Sequence, residues 1–394
     1  VATDLVIENI IGCNGAPTTI AVTGGKISAI GADARNAGPT EIVDGAGRLL
    51  LPGLVDGHIH LDKTLIGLPF IPHIPGDTVA KRIAAERELR RTVSLPVTAR
   101  GAALIAQIAA MGTVAVRSHV DIDTEAKLSG LEAVLSLKQS HGHLIDIQTV
   151  AFPQSGIIRD PGTAELLDAA IEAGADLVGG LDPAGIDNDI SGHLDVIFAI
   201  AGKHGVGIDL HLHDGGALGA FELRQIAERT IALGLEGKVA VSHAFCLGEL
   251  SDSDFARTAA LLAKANIAIM TNGPGPVPMP PVKRLQAEGV RIFAGSDNIR
   301  DAWSPFGNGD LIERAGIICD RQDFRADADL ALAFSLVTAA SGAVLGRGAP
   351  LTIGAAADFL LVRAGSLAEA VAGRDRDRIV YKAGRKIAEA GQLV

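Results

Sequence analysis

Residues 58–63 read HIHLDK, directly after the apolar run GRLLLPGLVDG. Two imidazoles separated by one residue project to the same side of an extended strand. Imidazole is a common ligand for zinc and ferrous iron, and two from one strand leave coordination positions for other groups and for water. A His-x-His pair alone is a weak signal, because satisfied or surface histidines give the same spacing. Its weight comes from the rest of the chain. His211, His243 and Asp297 each end an apolar, β-branched run of their own, and together with His58 and His60 they point to a metal centre.

Those groups need a scaffold that brings distant segments together. From residue 54 onward a strand-like run ending in polar residues is followed by an Ala/Leu-rich helical pattern. The runs are GLVDGHIH (53–60), TVAVRSHVDI (113–122), LIDIQTVAFPQ (144–154) and DLVGGLDP (176–183). Four more follow: VGIDLHLHD (206–214), VAVSHAF (239–245), IAIMTNG (267–273) and RIFAGSDN (291–298). Between them, segments such as 161–175 and 218–234 repeat apolar residues at three and four, with Gly often at the end. Eight alternating units predict an α/β fold, a (β/α)8 TIM barrel, in which catalytic groups come from the C-terminal ends of different strands. The flanks alternate short strand patterns with glycine turns. The expected organisation is a small discontinuous β-sandwich from residues 1–52 and 350–394, with the barrel at 53–349.

Composition narrows the partners. The chain has 394 residues, a formal net charge of −11 spread along its length, and 3% aromatic residues. Neither nucleic acid nor a single-strand stacking surface fits that balance. No apolar run is long enough to cross a bilayer, and VATDLVIENI lacks the basic start of a secretory signal. Cys13, Cys246 and Cys319 are widely spaced, as in a reducing compartment. The expectation is a cytoplasmic homo-oligomer acting on a small molecule.

LPGLVDGHIHLDK resembles the first-strand signature of the amidohydrolase superfamily. SHVDI, VAFPQSGI, IDLHLHD, VSHAF and AGSDNIRDAWSPFGNGD follow in the order of its cytosine deaminase-like branch, and GAAADFLLV is similar to the return into the terminal sandwich. The resemblance spans essentially the whole chain. It implies a single divalent ion (zinc or iron, with manganese as a third choice) held by His58, His60, His211 and Asp297. It gives His243 a place beside the metal-bound water, Gln154 the pairing with a nitrogen heterocycle, and Trp303 a place in the pocket lining. DLVGGLDP supplies no lysine for a binuclear bridge. The implied reaction is hydrolysis of a C–N bond at an sp2 ring carbon. The ion makes hydroxide available near neutral pH as the nucleophile, and Asp297 relays its proton to the departing amine.

Three positions depart from cytosine deaminases. Asp214 stands where they carry a proton-shuttling glutamate, a reach shorter by about 1.5 Å. Asn298 replaces a second acid after the metal aspartate. HxHxDK is instead similar to the N-isopropylammelide isopropylaminohydrolase group, and Lys63 is expected either to bind an anionic ring oxygen or, with a lowered pKa, to act as an acid. His213 shares a face with His211 and competes as ligand, with His211 preferred by the motif. His119 and Asp121 are read as metal-orienting or structural groups, Asp182 as a strand-end cap, and His73, His141, His143, His193 and His204 as surface residues. AAERELRRT (84–92) reads as a solvated helix face and NGPGPVPMPP (272–281) as a pocket-wall loop. The alternatives are a hydrolase that releases an alkylamine from a triazine or opens a cyclic amide, and an inactive barrel kept as a structural protein.

Overall fold

The computed structural model describes residues 3–36, 38–74 and 76–394. The first four strands are β1 (Leu5–Ile11), β2 (Pro17–Thr23), β3 (Lys26–Ile30) and β4 (Glu41–Pro52). Eight parallel strands follow: β5 (Leu54–Ile59), β6 (Thr113–Asp121), β7 (Asp146–Phe152), β8 (Leu177–Leu181), β9 (Gly207–Leu212), β10 (Val239–His243), β11 (Ala268–Thr271) and β12 (Arg291–Ala294). The chain ends with β13 (Phe359–Val362), β14 (Arg378–Lys382), β15 (Arg385–Glu389) and β16 (Gln392–Leu393).

β5 to β12 pair in sequence order, with helices between consecutive strands, as a (β/α)8 barrel. Its seam closes where Ile59 bridges Asp297 and the Asp297 N–H donates to the His58 carbonyl at 2.7 Å. Gly295 makes that approach feasible. A Cβ there would lie 2.5 Å from His58 N and 2.6 Å from His58 O, closer than any side chain tolerates.

The termini meet in a second sheet, ordered β16-β15-β14-β13-β4-β1-β2-β3. β4 joins the two ends, running parallel to β1 along its first part and antiparallel to β13 from Leu49 to Pro52. Because side chains alternate, Leu50, Phe359 and Leu361 enter the core of the terminal sheet, while Leu49, Leu51, Leu360 and Val362 pack into the barrel's apolar shell.

Within the barrel, buried Arg117 donates to Asp209 Oδ2 at 2.7 Å, and Asp209 accepts the Ser242 hydroxyl at 3.1 Å. This charged layer is paired, as a buried charge must be, and it underlies the histidines at the strand ends.

Candidate active site

Five imidazoles converge at the C-terminal ends of the strands. The His58 ring stacks on His119 at 4.0 Å between centroids and meets His211 edge-on at 4.5 Å. His243 lies 5.1 Å from His211, and His60 lies 5.3 Å from His58. His58 Nδ1 sits 2.8 Å from Ser242 Oγ, whose proton goes to Asp209, so Nδ1 carries the ring proton and Nε2 keeps a lone pair. Buried and without hydrogen-bond partners are His58 Nε2, His60 Nδ1, His243 Nδ1 and both nitrogens of His119 and His211. A buried polar atom left unpaired costs about 1–3 kcal/mol. Seven gathered in one place describe a site shaped for an electrophile.

Asp297 joins them. Its Oδ1 is 3.5 Å from His58 Nε2 and 3.4 Å from His60 Nε2, and its Oδ2 accepts from Asn272 Nδ2 at 2.8 Å. Ligand atoms of His58, His60 and Asp297 all lie within 4.8 Å of one another, and so do those of His58, His211 and His243. Burial raises the Asp297 carboxyl, but the facing His58 and His60 rings outweigh it and hold it well below the usual range. Burial and the nearby Lys63 charge push His60 down to about 3. Burial likewise takes His211 and His243 well below the ordinary imidazole value. Such rings are neutral at pH 7, the form in which imidazole ligates metal.

The backbone at these ends is unusual. Asp182 (φ 36°), His243 (φ 74°) and Asp297 (φ 61°) occupy the left-handed region that non-glycine residues rarely adopt. Half-buried Arg314 ties the last two strands' loops together, donating to the Asn272 carbonyl at 2.6 Å and the Ser296 carbonyl at 3.3 Å.

The cluster opens into a cavity of about 700 Å3. His60, Lys63, Gln154, His211, His213, His243, Asp297, Asn298 and Trp303 all line it, as does the 273–277 part of the loop after β11.

Two expected site residues take other positions. Asp214 is turned away from the cavity: its Oδ2 accepts the Gly185 N–H at 2.9 Å, and it faces buried Glu222. The cause is parity, since residues 211 and 213 share one face of the extended segment and 214 takes the other. His213 occupies the cavity wall instead, with Nδ1 2.9 Å from Asp182 Oδ2 and its ring stacked 4.5 Å from His243. Lys63 is not free to act as an acid. It reaches Asp121 Oδ1 at 2.9 Å, Glu86 Oε2 at 3.3 Å and Gln154 Oε1. Burial alone lowers its pKa, but Asp121, Glu86 and Asp62 outweigh burial and raise it above the ordinary lysine value.

Other residues were under-read from sequence. Glu86 belongs to the helix Val79–Thr92, whose 84–92 stretch is expected as a solvated face, yet it is buried and accepts Trp303 Nε1–H at 2.6 Å. His193, expected at the surface, is fully buried and sits 2.7 Å from Asp187. Asp182 is more than a cap because it fixes His213. A parity count from His211 was the available signal for His213. Glu86 offered none.

Comparison with known proteins places this arrangement. The amidohydrolase family pattern matches residues 98–388. The N-isopropylammelide isopropyl amidohydrolase of Pseudomonas sp. (strain ADP) is 33% identical over 381 residues, covering 95% of this chain and 94% of that protein. The crystal structure of N-isopropylammelide isopropylaminohydrolase from Burkholderia multivorans superposes with a TM-score of 0.94 at 41% identity, covering 100% of both chains. That of 5-methylcytosine deaminase from Klebsiella pneumoniae, liganded with 5-fluorocytosine, gives 0.84 at 26% identity over 98% of this chain and 97% of that one. The chain belongs to the amidohydrolase family, in its cytosine deaminase-like branch, and is a hydrolase of carbon–nitrogen bonds other than peptide bonds.

Proposed function

We propose that this enzyme hydrolyses a C–N bond at an sp2 carbon of a nitrogen heterocycle, with one divalent metal ion, and releases an alkylamine from a hydroxylated triazine-type ring. The observation that carries the metal is the set of buried, unpartnered imidazole nitrogens around Asp297. His58, His60, His211 and Asp297 are the residues that would hold it; zinc and iron suit this nitrogen-and-carboxylate set, with manganese as a third choice. When bound, such an ion lowers the pKa of water and polarises the carbon under attack.

The chain's own groups supply the rest. Asp297, ionised and held by Asn272, accepts the proton of the attacking water and returns it to the departing nitrogen. His243, neutral and beside His211, orients the water and steadies the charge that develops on the ring. Gln154 and Asn298 hydrogen-bond the ring, and Trp303 provides an apolar wall. Support for amine release comes from the likeness to the two isopropylaminohydrolases. A second reading, release of ammonia, is favoured by the likeness to the 5-methylcytosine deaminase.

The test is to load the purified protein with zinc, iron or manganese and incubate it with N-alkyl hydroxytriazines, pyrimidines and pterins. Amine and ammonia are then assayed separately. Amine from the triazines is the expected product. Hydrolysis of a linear amide with every heterocycle untouched would sink the proposal, and substoichiometric metal after loading would favour an inactive structural barrel.

A further inference from the structure

Lys63 and Gln154 form an arrangement whose chemistry goes beyond pocket lining. An ammonium group has three N–H donors and no acceptor. In Lys63 they meet Asp121 Oδ1 (2.9 Å), Glu86 Oε2 (3.3 Å) and Gln154 Oε1, so none is left for a substrate. All four residues are at most 8% exposed. Facing a group that only donates, the Gln154 carboxamide must turn its oxygen to Lys63, which leaves its NH2 for the cavity. Asn298 is set the opposite way. Its NH2 donates to Asp301 Oδ2 at 2.7 Å, leaving its carbonyl oxygen. Asp301 is fixed in turn by the N–H groups of Trp303 (2.8 Å) and Ser304 (3.0 Å).

We infer that Lys63 is a positioning residue that determines specificity, because it fixes Gln154 as a hydrogen-bond donor only. The substrate edge at Gln154 must then be an acceptor, an oxo or oxyanion group beside an unprotonated ring nitrogen. A deprotonated hydroxytriazine presents such an edge. Cytosine meets that requirement only through its C2=O/N3 edge; through its C2=O/N1–H edge the N–H would face the carboxamide without an acceptor. This deepens the proposed ring-hydrolase activity and rests on it. One misplaced hydrogen bond in a buried site is worth about tenfold in discrimination.

The experiment compares the metal-loaded wild type with Gln154→Glu and Lys63→Met, using a 2,4-dihydroxy-6-alkylamino-1,3,5-triazine and cytosine as probes. Binding is followed by calorimetry and turnover by amine and ammonia release. The wild type is expected to favour the triazine in kcat/KM by about tenfold or more. Gln154→Glu, which replaces the donor by an acceptor of the same shape, should lose at least that factor in triazine affinity. Lys63→Met frees the amide to rotate, so the triazine-to-cytosine ratio should collapse, chiefly through KM. That ratio does not depend on the fraction of protein folded, so a purely structural lysine leaves it unchanged. A wild type that prefers cytosine, or a Gln154→Glu variant that binds the triazine as tightly as wild type, overturns the donor assignment alone. Failure of both rings to bind or react overturns the ring-hydrolase reading with it.

Discussion

The two walls of the cavity solve opposite problems. On one, His58, His60, His119, His211 and His243 present buried nitrogens with nothing to bind. On the other, a few residues away, Lys63, Glu86, Asp121, Gln154 and Trp303 form a network in which the lysine has every donor engaged. A buried group that lacks a partner is costly unless something else arrives to pair with it. The unpartnered wall is therefore where we propose that chemistry is done, and the saturated wall is the one that would aim it. Lys63, expected from HxHxDK to bind a ring oxygen or to act as an acid, has partners that suit it to the aiming role inferred above.

Disabling each wall sharpens the contrast. Asp297→Asn keeps size and loses the proton acceptor, and kcat should drop by about 10³-fold with an unchanged circular dichroism spectrum. Retained turnover would refute the assigned role. Lys63→Met strands two buried carboxylates and should destabilise the fold by about 3–5 kcal/mol in urea unfolding at pH 7. A loss below 1 kcal/mol would place the network outside the load on stability. Ser242→Ala removes the hydroxyl that fixes the His58 tautomer, and metal affinity measured by chelator competition should weaken about 10–100-fold.

The smallest effect concerns the carboxylate behind the site. Burial and Asp214 push Glu222 up to about 8. Glu222 thus keeps its proton in the folded protein over a range where the unfolded chain has lost it. Its contribution to stability is full below the unfolded glutamate value and is lost as pH rises through about 8. Glu222→Gln cannot ionise, so its thermal unfolding temperature should fall less between pH 6 and pH 9 than that of the wild type. Parallel pH profiles for variant and wild type would disprove the raised Glu222 carboxyl.

Much of this was legible in the sequence, for physical reasons. Barrel strands announce themselves because both faces are buried, giving β-branched runs, and the polar residues at their ends cannot belong to that core. All eight predicted runs contain the observed strands. Asp214 was expected in the site from the place of the deaminase glutamate, whereas alternation from His211 puts it on the other face of the segment. Glu86 was invisible because its role depends on Trp303, 217 residues away, and one inward acid in a charged helix leaves no periodic trace. His193 was hidden in the same way, since its burial rests on pairing with Asp187 and with the Leu181 N–H.

The glycine at the barrel seam has one more consequence. His58 belongs to the first barrel strand and Asp297 follows the last, and the seam at Gly295 brings them together. A chain interrupted before β12 keeps every histidine and has no centre. An ion bound by both ends is selective for the closed ring, and mass action converts its affinity into closure. The proposed centre would then double as a checkpoint on folding: metal uptake during refolding should lag behind helix formation and coincide with closure of the seam between β5 and β12.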